Sequence, residues 1–219
     1  MDFATDAIID LWFGGQRSDP KQVANHYKLW FKGGARLDQN IRERFGYLFA
    51  SDASLLGAAS NSGALTLDDH LALIISLDQF PRHLFRGTPR AFAYSEPAIS
   101  LSREITARND WRTLSPAEQV FTLMPLHHSE SIIDQTEGVE RLLRLQSAEK
   151  NGWQTLLGRF LRSFQDHALI VQQIGRFPHR NEIMGRPSTK AEHAFLAKNP
   201  QSFGQMHADR RSPRTSSHL

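Results

Sequence analysis

The sequence predicts an all-α protein, and three observations lead to that fold class. Apolar residues recur at helical spacing along nearly the whole chain. Alternating runs of β-branched residues between hairpin turns are almost absent. Capping motifs stand where new helices should begin. Eight to nine helices with short connections predict antiparallel packing of successive pairs, either as a compact α-array or as a solenoid of helix hairpins.

Four helices are predicted in the first half of the chain. Each has a row of large apolar residues on one side, and Gly-Gly pairs at residues 14–15 and 33–34 end the first two. The fourth is so apolar that it should be buried. These helices are predicted over about residues 5 to 13, over about residues 20 to 32, from about Asp38, and from Thr66.

The helix starts in the second half have clearer chemistry. Ser115-Pro-Ala-Glu118 is a capping box with proline at the first helical position, where a missing N–H leaves no bond unmade. Thr189-Lys-Ala-Glu192 has the same form, so a last helix should begin near residue 190. Between them, residues 129 to 150 and 153 to 174 predict two long helices with a hinge at Asn151-Gly152.

Composition limits the possible function classes. The formal charge is +3, and the segment after Phe203, with three arginines and one aspartate, contributes +2 of it. The rest of the chain is close to neutral, which argues against nucleic-acid binding. The chain has no cysteine, so disulfides, thiolate catalysis and cysteine-ligated zinc are excluded. No Gly-rich phosphate loop follows a strand, and no cofactor is indicated.

Domain organisation and location follow from the same reading. Residues 1–203 are predicted to form a single α-helical domain, and the polar, basic residues 204–219 a disordered tail. The acidic start MDFATDAIID does not look like a secretory signal, and no apolar run approaches the roughly 20 residues that span a bilayer. We therefore expect no membrane association and a cytoplasmic location.

Two similar junctions stand out. QFPRH at residues 79–83 and GRFPHRN at residues 175–181 each follow an apolar helical stretch, and each is followed by a second proline. Because proline lacks a donor and clashes with the preceding turn, each Phe-Pro pair is expected to stop its helix and redirect the backbone. We expect the two proline corners to be neighbours in space, with their basic residues facing one place.

Four separated motifs carry a resemblance. LWFGG (11–15), LALIISLDQFPRHLFRGTPRAF (71–92), MPLHHSE with Gln135 beyond it, and GRFPHRNEIMGRPST (175–189) preceded by His167 occur in one order and spacing. Together they resemble a bacterial family known as domain of unknown function 924, over about residues 7 to 203. The resemblance implies a tetratricopeptide-like helical array and no established activity. The family pattern has Asn and Asp where this chain has His83 and Ser95.

The polar residues of these motifs form the predicted site. Arginine presents a planar fork of donors suited to carboxylate or phosphate, so several converging forks predict an anion pocket. The structural alternative is that these side chains cap helix ends or pair with internal carboxylates. The predicted ligand-binding residues are Asp78, Arg82, Arg86, Gln135, His167, Arg176, Arg180, Asn181 and Arg186.

Acid–base chemistry is a further possibility at the same place. His128 or His179 is the candidate general acid or base, with Glu130 orienting an imidazole from the first turn of a helix. Glu130 in a first turn is also explained by capping alone. A metal site using His128, Glu130, His167 and His179 is a weaker alternative, because no compact ligand motif is present.

Two functional hypotheses remain open from sequence. The first is a pocket that binds a small anionic or strongly polar metabolite, with or without acid–base catalysis. The second is a helical interaction module that holds an acidic or carboxyl-terminal peptide in a groove, with the same arginines clamping its carboxylate. A closed cavity would favour the first, and a long open groove the second. RNA binding aided by the tail is a third, weaker possibility.

Overall fold

The computed structural model describes residues 4–150 and 152–199, and the tail predicted over residues 204–219 lies outside them. The described chain is all-α, as predicted, and no strand occurs within these two ranges. Its helices are α1 (Thr5–Phe13), α2 (Pro20–Lys32), α3 (Gly34–Phe45), α4 (Asp52–Ser60), α5 (Leu67–Ile74), α6 (Phe80–Leu84), α7 (Ser95–Ala107), α8 (Pro116–His128), α9 (Ile132–Ala148), α10 (Gln154–Ile174) and α11 (Lys190–Lys198).

The described part therefore holds eleven helices where eight to nine were predicted. The sequence pattern predicts no separate helix for α4, α6 or α7. None of the described helices is long and apolar enough to cross a membrane. The single domain over residues 1–203 and the tetratricopeptide-like arrangement stay predictions.

Successive helices pack against each other in the second half of the chain. The most extensive contacts join α9 to α10, α8 to α9 and α7 to α8, and α8 also contacts α10. In the first half, α1 packs on α5 and on α2, while α3 packs on α6. Helices α5 and α8 join these two groups, since α5 contacts both α7 and α8. Every residue of α8 except His128 is buried, which places this helix at the centre of the core.

The first Phe-Pro pair does not stop its helix, so that expectation was wrong. A π turn at Ile75–Gln79 follows α5 directly, and α6 continues from Phe80 with Pro81 buried in its first turn. A proline in a helix removes one bond and its ring collides with the carbonyl four residues back. The wider π turn accommodates both effects, and the helical path runs on to Leu84.

The second corner is ended by glycine. Gly175 has a left-handed backbone with φ 84°, and it caps α10 two residues before Phe177. Pro178 then begins a short 3₁₀ turn, Pro178–Arg180. The chain is redirected there as predicted, although the stop belongs to Gly175 rather than to the proline.

Candidate functional site

The two corners meet at one aromatic ring. The guanidinium carbons of Arg82 and Arg180 lie 5.3 Å and 4.8 Å from the centre of the Phe92 ring. Arg82 comes from α6, and Arg180 from the 3₁₀ turn after α10. Both corners also contact the end of α8, because Arg180 Nη1 donates to the backbone oxygen of His128 at 3.0 Å and the His128 ring contacts Asp78.

Asp78 lies in the π turn and is 2% exposed. Its carboxylate accepts hydrogen bonds from Arg82 Nη2 at 3.2 Å, from Gln79 Nε2 at 2.7 Å and from His128 Nδ1 at 2.8 Å. Burial alone would raise the pKa of Asp78, but the charge of protonated His128, the charge of Arg82 and these hydrogen bonds hold the pKa well below its usual range. Asp78 is therefore a buried carboxylate anion at neutral pH.

His128 is held by this carboxylate. Its Nδ1 lies 2.9 Å and 2.8 Å from the two oxygens of Asp78, so the ring orientation is fixed. Burial first, and then the charge of Arg82, lower the pKa of His128 to about 4, while Asp78 opposes them. The imidazole is neutral at pH 7, and because an ionised carboxylate only accepts, its proton lies on Nδ1.

Arg180 differs from the other arginines of the motifs. It is 7% exposed, and no carboxylate of the described ranges lies within ion-pair distance of its guanidinium. Its Nε is buried without a hydrogen-bond partner, and the guanidinium carbon lies 4.3 Å from the centre of the Phe177 ring. Burial first, and then Arg82, lower the pKa of Arg180 to about 9, so it remains a cation at neutral pH.

Three other predicted ligand-binding arginines are held by internal carboxylates. Arg186 contacts both oxygens of Glu130 at 2.6 Å and 2.9 Å. Arg176 contacts Glu192 of α11 at 2.6 Å and 3.0 Å, and Arg86 contacts Asp38 of α3 at 2.9 Å. These pairs match the structural alternative given above for each arginine. We therefore leave Arg86, Arg176 and Arg186 out of the candidate binding set.

Two further predicted site residues tie backbone segments together. Gln135 Nε2 donates to the oxygens of His127 and Ser129 at 2.7 Å each, which satisfies carbonyls at the end of α8. Asn181 Nδ2 donates to Ser188 at 3.0 Å, and its oxygen accepts from Arg186 Nε at 3.1 Å. Both side chains shape the loops around the corner.

His167 is an interior residue of α10. Its ring centre lies 3.9 Å from that of His127, and the His127 ring stacks on Phe164 at 4.3 Å. Its Nδ1 contacts the backbone oxygen of Ser163 at 2.9 Å. Burial and the neighbouring His128 lower the pKa of His167 to about 3, so the ring stays neutral at ordinary pH. In this structure His167 is a hydrogen-bonded interior histidine, and a ligand-binding role for it stays a prediction.

The segment His127-His128-Ser-Glu130 ends one helix, whereas a helix start was predicted there. Pro125 lies inside α8, which runs on to His128, and Ser131 caps α9 by accepting from Asp134 N. Glu130 therefore lies between two helices and accepts from the backbone N–H of Phe177 at 2.9 Å. Asp78, rather than Glu130, orients His128.

His179 lies beside the same corner. Its ring centre is 5.6 Å from that of Phe177. Burial first, and then Arg180, lower the pKa of His179 to about 3, with Glu130 opposing them. A catalytic role for His179 or Glu130 stays a prediction.

Residues 8–200 match a family described as bacterial protein of unknown function, DUF924. The chain belongs to this family. A solved structure of a protein of unknown function from Agrobacterium tumefaciens is 29% identical to the chain, with a TM-score of 0.67. The match covers 89% of this chain and 97% of that one. The resemblance drawn from the four motifs is confirmed. A comparison with curated proteins gave no match.

Sequence reasoning missed two partners in this DUF924 site. Phe92, the ring shared by both guanidinium groups, ends a 3₁₀ turn at Pro89–Phe92 after the first corner. Gln79 donates to Asp78 from the next position in the chain. The available signal for Phe92 was its place in the TPRAF motif, a few residues beyond Arg82.

Two surface cavities of the DUF924 chain lie away from these residues. One covers the first turns of α9 beside Ile132 and Ile133, and the other lies between the amino ends of α1 and α5. Across the ranges that the structure describes, no group of three histidine, aspartate or glutamate side chains is arranged to hold a metal ion.

Proposed function

We propose that the protein binds a small oxyanion, a carboxylate or phosphate group, at Arg180, with Arg82 beside it and Phe92 beneath both. The observation that carries this proposal is the buried Arg180 guanidinium, which has no carboxylate of the described chain within ion-pair distance. Arg186 of the same corner, by contrast, has a carboxylate of its own.

The local charges support an anionic ligand. Asp78 is balanced by Arg82, and Glu130 is balanced by Arg186. Arg180 is then one unbalanced positive charge, next to a second guanidinium that repels it. Burying a charge without a partner has an effective penalty of several kcal/mol. A bound oxyanion would offset both the burial and the repulsion, and a guanidinium fork fits such a group well.

The exposure of the surrounding side chains favours a small ligand over a peptide. The Arg82 side chain is 12% exposed and that of His128 is 17% exposed, so solvent reaches this place only along their edges. Such limited access suits a single oxyanion group. An extended peptide would need a long open groove along these residues.

Thermal denaturation with and without anion tests the proposal. Acetate and inorganic phosphate, added at constant ionic strength, should raise the melting temperature of the wild-type protein, and the rise should grow with the logarithm of anion concentration above the dissociation constant. Arg180→Met should abolish that rise. Without anion, its melting temperature should stay within a few degrees, because the lost contacts are offset by removal of an uncompensated buried charge.

Arg176→Met is the matched control, since it removes a guanidinium of the same motif that is already paired with Glu192. It should keep the anion-dependent rise. The proposal is wrong if Arg180→Met also keeps the rise. It is also wrong if that variant is strongly destabilised without anion, which would make Arg180 a structural tie to the His128 carbonyl.

A further inference from the structure

We propose that the anion bound at Arg180 carries an O–H donor next to its charged group, as a hydroxy-carboxylate or a hydrogen phosphate does, and that Nε2 of His128 accepts this hydrogen bond. This inference rests on the proposed function and adds the chemical class of the ligand. It makes His128 the residue that determines specificity.

Asp78 decides which nitrogen of His128 can accept. Both carboxylate oxygens lie within hydrogen-bond distance of Nδ1, at 2.8 Å and 2.9 Å. Since an ionised carboxylate has no hydrogen to give, Nδ1 must carry the proton. In a neutral imidazole the other nitrogen then has a free lone pair. The Asp78 contact therefore presets Nε2 as a hydrogen-bond acceptor.

Nε2 is also the free end of the ring. Within the described ranges Nε2 makes no hydrogen bond. It is not a fully buried atom either, so solvent reaches it at the exposed edge of the His128 ring. Two guanidinium groups lie close to this ring, because Arg82 contacts the same Asp78 carboxylate and Arg180 donates to the backbone oxygen of His128. The site thus combines several donors for a negative charge with one acceptor.

This combination should discriminate between anions of equal charge. The guanidinium donors can hold any oxyanion, but only a ligand with its own O–H satisfies Nε2. A site built to bond a hydroxyl rejects the analogue that lacks it, because a polar group of the protein is then left unpaired. The expected preference is about tenfold in affinity at this partly exposed site.

Isothermal titration calorimetry of the full chain at pH 7.5 tests the inference with two matched pairs of anions. Glycolate should bind about tenfold more tightly than acetate, and hydrogen phosphate more tightly than sulfate. His128→Phe, which keeps an aromatic ring and removes both nitrogens, should reduce the glycolate-to-acetate ratio to about 1 while acetate still binds.

Each outcome decides between the two proposals. If acetate and glycolate bind the wild-type protein equally, the inference is wrong and the anion site stands. If neither anion binds, both the proposed function and this inference are wrong. If His179→Phe removes the ratio and His128→Phe does not, the acceptor has been assigned to the wrong ring. The wild-type ratios decide alone if His128→Phe does not fold.

Discussion

Asp78 is the residue on which the arrangement of charges around the two corners depends. It is a buried anion that contacts one guanidinium and one imidazole, and so it fixes the tautomer of His128 and balances Arg82. The charge that remains belongs to Arg180, which contacts a backbone carbonyl and two aromatic rings. The candidate site thus arises from unequal pairing among similar side chains.

Acid should destabilise the protein through its buried histidines. Burial lowers the pKa of His167 to about 3, so between pH 6.5 and 5 the unfolded chain binds a proton that the folded chain does not. The free energy of unfolding should therefore fall as the pH falls below 6.5, by at most about 1.4 kcal/mol per pH unit for this group.

His167→Phe should make that decline shallower, because the substituted ring has no site to protonate in the unfolded state. Urea denaturation followed by circular dichroism at pH 7.5, 6.5, 5.8 and 5.0 measures the decline in unfolding free energy. His193→Phe, at an exposed position of α11, is the control and should give the same decline in unfolding free energy as the wild-type protein. An unchanged slope in His167→Phe would show that His167 is not neutral in the folded protein.

Glu130 should be important for stability. Its carboxylate joins Arg186 and the N–H of Phe177 to the connection between α8 and α9. Glu130→Gln loses charge-assisted bonds and should lower the free energy of unfolding by about 1–3 kcal/mol. Glu140→Gln is the control, because Glu140 forms an exposed pair with Arg144 within α9, and such pairs contribute about 0.3–0.5 kcal/mol. Equal effects in chemical denaturation would contradict this role.

The site was partly predictable, for definite physical reasons. The spacing of Asp78 and Arg82 places them on one helix face, and the repeated Phe-Pro-Arg-His composition suggested that the corners share a function. The internal partners of Arg86 and Arg176 were not predictable, because Asp38 and Glu192 reach them from other helices. Local sequence contains no information on which guanidinium a distant carboxylate will pair with.

Helix starts followed local rules more closely than helix interiors did. Capping boxes at Ser115 and Thr189 form with both reciprocal bonds, as predicted. Helix α9 starts at Ile132 instead of residue 129 because Ser131, rather than Ser129, supplies the cap. The π turn before Pro81 was not predicted, because propensity rules place a helix end at proline. In the structure the turn is buried, and the helical path continues through the proline.

The cap of α8 offers a test with an internal control. Ser115 accepts from the backbone N–H of Glu118, and Glu118 accepts from that of Ser115 at 2.7 Å. Ser115→Ala should lower the free energy of unfolding by about 1 kcal/mol. Ser51 occupies the corresponding position before α4 but makes no side-chain cap bond, so Ser51→Ala should have a much smaller effect. Equal losses in urea denaturation would show that the bond at Ser115 contributes nothing.

Aromatic rings connect the helix groups into one core. Phe121 of α8 lies within 5.6 Å, 5.4 Å, 4.6 Å and 6.0 Å of the rings of Trp12, Phe13, Trp30 and Phe160, on α1, α2 and α10. Most of the amino-terminal aromatic residues are buried in this core. Phe31 differs, because it is 50% exposed at the edge of the cluster.

Phe121→Ala should therefore weaken several helix contacts at once. Removing a fully buried ring leaves a cavity, and the expected loss is about 3–5 kcal/mol of unfolding free energy. Phe31→Ala removes the same side chain at a half-exposed position and should lower the free energy of unfolding much less. Guanidinium chloride denaturation compares the two variants. A similar loss in both would mean that burial of Phe121 does not govern the stability of the core.

The placement of the indoles gives the protein a built-in optical reporter. Trp12, Trp30 and Trp153 are buried, and Trp30 Nε1 donates to the backbone oxygen of Trp12 at 2.7 Å. Water would reach these rings once α1 and α2 separate from α8, and their fluorescence emission would then shift to longer wavelengths. The unfolding transition of each variant can therefore be followed by intrinsic tryptophan fluorescence, without an attached dye.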